Sequence, residues 1–250
     1  MDRPPIALQL YTVRDETARD FAGTLHQVAQ MGYRAVEFAG YGGLSPSQMS
    51  GLLSDTGLQA ASTHIGLAAL ESNHDRELDY CQSIGCASIV LPALPSEYRS
   101  LDGLRGLLPR LNEIGRRCHE RGIAFSYHNH DFEFAQSDGP MLLDVLLDNT
   151  DPLVVALEFD VYWAAYAGVD PVSYLRKRAG RVLLVHAKDM AADRSFTEVG
   201  DGTLDMAAIC RAAYEQRARW YIVENDQPKL PSLESARRSL GNLRGILQAL

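Results

Sequence analysis

The chain has 250 residues, 46% of them hydrophobic and 22% charged, which supplies a full apolar core and is unlike a disordered chain. Its net charge of −8 leaves no overall basic field, which argues against tracking a phosphate backbone or an anionic membrane and favours a neutral small molecule as substrate. The four cysteines, Cys81, Cys86, Cys118 and Cys210, form no C-x-x-C pair and read as reduced, buried thiols rather than a zinc ribbon or redox site.

The apolar run from Ile6 to Leu10 is too short for a secretory signal, and no later stretch reaches membrane-spanning length, so a cytoplasmic location is expected. No Pro/Gly/Ser-rich linker or charge block divides the sequence, which predicts one domain over residues 1–250.

In chain order, short β-rich runs alternate with longer stretches of helical periodicity. The predicted strands are Ile6–Leu10, Ala35–Phe38, Leu58–His64, Ala87–Leu91, Ile123–His128, Leu153–Asp160, Val182–His186 and Tyr221–Glu224. Between the first two, Phe21, Leu25, Val28 and Met31 repeat at helical spacing and stop at Gly32. Leu104, Leu107, Leu108, Leu111, Ile114 and Cys118 do the same before Gly122, with Pro109 expected to kink or restart that helix. The last helix has Ser232 as its expected N-cap and carries Leu233, Leu240, Leu243 and Leu247 on one face. Eight βα units imply a parallel sheet with right-handed crossovers, closed as a single-domain α/β (β/α)8 TIM barrel, and the missing G-x-G-x-x-G after the first strand weakens a Rossmann reading.

In such a barrel the active site lies at the C-terminal strand ends. Read with period two, the inward-facing series are Ala7-Gln9, Ala35-Glu37, Ala60-Ser62-His64, Ala124-Ser126-His128-His130, Val154-Ala156-Glu158-Asp160, Val182-Leu184-His186-Lys188 and Ile222-Glu224-Asp226. Most begin small or apolar and end polar. Charges converging on one mouth are costly without a cation, so a divalent metal is expected; a mixed oxygen and imidazole set suits manganese, cobalt, magnesium, iron or zinc. The densest signal is the run from Ser126 to Glu133, with His128 and His130 on one strand face and two carboxylates just beyond. Lys188 is placed to polarise a substrate oxygen or orient a carboxylate, or else to pair with Asp189 or Glu158 at the rim.

The segments Leu8–Arg14, Ala35–Phe38, Tyr127–Phe134, Asp160–Trp163, Val185–Asp189 and Val223–Asp226 resemble the sugar phosphate isomerase/epimerase family of xylose-isomerase-like barrels along nearly the whole chain. The resemblance implies a metal held by a Glu, an Asp, a His and a Glu on the fifth to eighth strands. Asp160, His186 and Glu224 match the last three. At the fifth strand His128 stands where the usual Glu would be, with Glu133 five residues on, so either His128 is the ligand or the loop returns Glu133 to the metal.

The resemblance further implies isomerisation or epimerisation of a sugar or keto-sugar through a metal-stabilised enediolate, with Glu224 opposite Glu133 or His128 passing the proton. Gln9, Glu37, His64, His130 and Trp163 are expected to line the substrate pocket. The histidine-rich fifth strand also resembles that of inosose dehydratases and keto-glycoside-cleaving relatives, which makes elimination the second reading. A nuclease of the AP-endonuclease type and a non-catalytic sugar-binding or partner subunit stand behind these, and a homo-oligomer is left open.

Overall fold

The computed structural model describes residues 4–135 and 139–249. Its strands are β1 (Ile6–Gln9), β2 (Ala35–Phe38), β3 (Gln59–His64), β4 (Ser88–Leu91), β5 (Ala124–His128), β6 (Ala156–Asp160), β7 (Val182–Ala187), β8 (Asp189–Met190), β9 (Phe196–Thr197) and β10 (Trp220–Val223). Eight of them close a parallel barrel in the order β1-β10-β7-β6-β5-β4-β3-β2, with β8 and β9 forming a small antiparallel ribbon beyond β7. The predicted barrel is therefore the observed one.

Seven predicted strands agree with the structure to within a residue at each end, but β6 begins at Ala156 rather than Leu153. The cause is local. Asp151 accepts the backbone N–H of Leu153 on its side chain, and its carbonyl accepts those of Val154 and Val155. This turn leaves Leu153 80% exposed.

The outward strand faces and the surrounding helices share the main core, including Leu8, Phe38, Ile89, Tyr127, Phe159 and Tyr221. Inside the barrel, Ala7, Ala35, Ala61, Val90, Leu184 and Ile222 form a dry lower layer of small and branched residues. Two register shifts correct the period-two reading. Val36 pairs with Ala60 but Glu37 with Ser62, so Ala61 enters the barrel while Ala60 joins the outer core. Likewise Leu157 pairs with Val182 and Glu158 with Leu184, which sends Val182 outward.

The helix Phe21–Met31 starts with the Asp20 side chain accepting from Gly23 N–H at 2.9 Å and ends on Gly32 at φ 100°, a left-handed position suited to glycine. Leu101–Glu120 runs unbroken through Pro109. Both Pro109 and Arg105, whose carbonyl loses its partner, are exposed, so water replaces the missing bond while the Leu104, Leu107, Leu111 and Cys118 face holds the helix on the barrel. The last helix is Ser232–Ala249, and Ser232 lies inside it. The carbonyl of Pro231 accepts the first helical N–H groups, and Ser232 Oγ is buried without a partner, so Ser232 does not act as the cap. Among the described residues no helix is long and apolar enough to cross a membrane.

Candidate metal centre

Strand register assembles the site. His128 lies opposite Glu158 in the β5–β6 ladder, Asp160 opposite His186 between β6 and β7, and Gln9 opposite Glu37 between β1 and β2. Alternation points these side chains into the barrel, while Lys188 and Glu224 follow the ends of β7 and β10 by one residue. Asn129 clips the neighbouring strands together: its Oδ1 accepts Asp160 N–H at 3.0 Å and its Nδ2 donates to the Asp160 carbonyl at 3.2 Å.

The upper tier consists of His128, Asp160, His186 and Glu224, whose ligand atoms all lie within 4.8 Å of one another. His186 Nδ1 is 2.9 Å from Glu224 Oε2 and 4.0 Å from Asp160 Oδ2; His128 Nε2 is 3.8 Å from the same Asp160 oxygen. Asp160 Oδ1 accepts Trp163 N–H at 3.0 Å, capping the helix Val161–Tyr166, while Oδ2 has no hydrogen-bond partner. Its ion-pair partner is the Lys188 ammonium at 3.5 Å. Two carboxylates and two imidazoles converging on one point are a donor set that suits a divalent cation, so these residues fit a metal. Burial lifts the Asp160 carboxyl to about 6 despite the attraction of Lys188.

Beneath lies a second tier. Glu158 Oε2 meets three imidazoles: His64 Nε2 at 2.8 Å, His128 Nδ1 at 3.1 Å and His186 Nε2 at 3.1 Å. Glu37 Oε1 is 2.7 Å from His186 Nε2 and 3.1 Å from His64 Nε2, accepts from Gln9 Nε2 at 2.6 Å, and its other oxygen accepts from Ser62. Burial alone would discharge His64, yet the Glu37 and Glu158 carboxylates raise it to about 10. His186 is raised in the same way, against burial, by Glu158, Glu37 and Glu224.

Lys188 is buried with Nζ 2.8 Å from Asp226, 3.0 Å from Glu224 and 3.5 Å from Asp160, rather than paired with Asp189 or Glu158. Its ammonium also sits 5.3 Å from the Trp163 ring centroid. Burial would raise the Glu224 carboxyl, but Lys188 and His186 hold it well below the usual carboxylate range. Asp189 turns elsewhere, accepting N–H groups of Met190, Gly200, Gly202 and Leu204 and so fixing the long loop after β7.

Not every expected residue reaches the centre. Glu133 belongs to neither tier: one oxygen accepts from the Tyr127 hydroxyl and the other from His130 N–H at 2.8 Å, which folds the loop under the strand end instead of over the site. Burial raises its carboxyl to about 7. Gln9 and Glu37 are fully buried below the imidazoles and do not line the cavity above them. That cavity, about 290 Å³, is bounded by Tyr11, His64, His128, His130, Lys188, Glu224 and Asp226. Trp163 backs His130, with ring centroids 5.5 Å apart, and Trp163 Nε1 and His130 Nδ1 both lack partners. Burial and nearby Lys188 lower His130 to about 4. Glu158, Asp226 and Tyr11 were absent from the expected set, although the inward series already carried Glu158 and Asp226.

An inosose dehydratase from Geobacillus kaustophilus (strain HTA426) is 27% identical, with 81% of this chain and 79% of that protein covered. Another from Clostridium beijerinckii is 32% identical, with 47% of this chain matched to 45% of that protein. Among solved structures, a sugar phosphate isomerase/epimerase from Parabacteroides distasonis ATCC 8503 superposes with a TM-score of 0.82 at 24% identity, covering 98% of this chain and 96% of that one. A D-psicose 3-epimerase gives 0.74 at 14% identity, covering 97% and 99%. These likenesses establish the fold alone. Residues 25–246 match the model of the xylose isomerase-like TIM barrel family, and the chain belongs to that family.

Proposed function

We propose that the chain is a divalent-metal-dependent enzyme that removes a proton beside the carbonyl of a neutral keto-polyol, with loss of water from the next carbon as the outcome. The observation that carries this reading is the convergence of His128, Asp160, His186 and Glu224, all buried and with ligand atoms within 4.8 Å of one another, next to a cavity of about 290 Å³. Sequence reading put isomerisation or epimerisation first and elimination second; the inosose dehydratase relatives support the reverse order.

A divalent ion held by these four residues supplies a Lewis acid for the substrate carbonyl. The chain's own groups divide the remaining work. His130 lines the cavity, which places its imidazole to take a proton from carbon. Glu224 is committed through Oε2 to His186 and Lys188, which suits holding the ion better than proton shuttling. Lys188 stays charged between its three carboxylates and holds Glu224 in place, while the proton that His130 takes from carbon can be returned to the hydroxyl, which then leaves as water.

A neutral substrate follows from the charge inventory. Among the described residues, Lys188 is the one ammonium or guanidinium group bounding the cavity, and three carboxylates already surround it. Arg14, close to the end of the first strand, is bound to the carbonyls of Tyr11 and Asp226. Among the described residues a phosphate would find no unpaired cation here.

The test is deuterium exchange from D₂O into a panel of inososes and keto-sugars, followed by proton NMR with metal-loaded protein and His130→Gln as control. Exchange beside the carbonyl with loss of a hydroxyl, abolished in the control, supports the proposal. Exchange with retention of every hydroxyl indicates epimerisation, and no exchange with bound metal rules out enolate chemistry on this panel.

A further inference from the structure

The two ligand tiers share a pair of imidazoles, and each ring faces them with opposite nitrogens. His128 turns Nδ1 down to Glu158 and Nε2 up to Asp160; His186 turns Nε2 down to Glu158 and Glu37 and Nδ1 up to Glu224 and Asp160. A neutral imidazole carries one N–H. If the lower nitrogen donates it to a carboxylate, the upper lone pair is left for an ion. Filling both tiers with cations would strip both rings of their last N–H, so the lower tier is better suited to orienting the ligands than to holding a second ion.

We propose that Glu158 is the positioning residue of the centre: a single carboxylate that accepts the lower N–H of both imidazole ligands and thereby fixes His128 to bind through Nε2 and His186 through Nδ1. This rests on the reading that the upper tier holds a divalent ion. The side chain is held for the task by His64, whose Nε2 lies 2.8 Å from the same oxygen. The support is unequal. His186 has Glu37 at 2.7 Å as a second acceptor, whereas among the described residues Glu158 is the only acceptor against His128 Nδ1. Loss of Glu158 therefore falls on His128.

The full chain, labelled with ¹⁵N-histidine and loaded with zinc, reports the ring nitrogens by long-range ¹H–¹⁵N NMR, while competition with a chromophoric chelator gives zinc affinity. Expected in the wild type are a protonated Nδ1 and zinc-bound Nε2 at His128, with the converse at His186. Glu158→Gln should retain the circular dichroism of the wild type and the His186 pattern, lose the His128 pattern, and weaken zinc by about 10–100-fold. Glu158→Asp should recover part of both.

Unchanged affinity and ring pattern in Glu158→Gln overturn the proposal. So does complete loss of zinc there together with retention in Asp160→Asn and Glu224→Gln, which would make Glu158 a ligand itself. A wild-type protein that takes up no zinc overturns this inference and the metal reading together. A protein that binds zinc but fails deuterium exchange overturns only the proposed reaction.

Discussion

His128 and Glu158 face each other across the β5–β6 ladder with Nδ1 3.1 Å from Oε2, so the imidazole at the end of the fifth strand has a carboxylate as its neighbour. Replacing it by the glutamate that the family resemblance implies there, His128→Glu, sets two buried carboxylates side by side. The variant without metal is expected to lose about 3–5 kcal/mol, the range for an uncompensated buried charge, with much of the loss restored by a divalent ion. The change from nitrogen to oxygen donor should also move preference from zinc towards magnesium or manganese. Thermal unfolding with each ion checks both outcomes.

Glu133 faces away from the ion site, held by Tyr127 and the His130 amide. Glu133→Gln should therefore bind metal about as tightly as the wild type. Glu224→Gln removes a proposed ligand and should weaken binding beyond the about 10–100-fold typical of losing an outer partner. Chelator competition on the two variants decides between the two readings of the fifth strand.

Lys188 sits between Glu224, Asp226 and Asp160. Lys188→Met leaves these carboxylates without their buried counter-ion and should cost about 3–5 kcal/mol by urea unfolding in the presence of a chelator. Saturating metal should return part of it. A loss of stability indifferent to metal would show that the lysine acts only through packing.

Away from the centre, Asp144 accepts from Tyr174 and Lys177 at 2.8 Å and also from Arg178. Burial would raise its carboxyl, but these donors lower it. Its folded pKa thus lies below the unfolded value of about 3.9, so its contribution is present above that value and lost as pH falls through the folded one. Asp144→Asn should be less stable than the wild type at pH 7, with the gap closing in acid. Urea titrations at several pH values test this, and a gap independent of pH would contradict it.

Much of the architecture was legible because a closed parallel barrel writes itself into the chain twice, as βα alternation and as strands that are apolar at the start and polar at the end. Period two therefore brings His128, Asp160, His186 and the Glu224 neighbourhood to one mouth from the sequence alone. The same rule failed at Ala60 and Val182, where a one-residue shift in pairing exchanges inside for outside. It also failed at Leu153, where an Asp151 turn captures residues of strand-like composition.

What the sequence determined by itself was the fold and the chemical character of its mouth, since both follow from local alternation and residue type. Tertiary structure alone decided depth and direction. It placed Gln9 and Glu37 under the imidazoles, folded Glu133 behind the strand, and drew Lys188 between three carboxylates. These outcomes depend on the stagger between neighbouring strands and on which nitrogen of a ring meets which carboxylate, distances set by residues far apart in the chain.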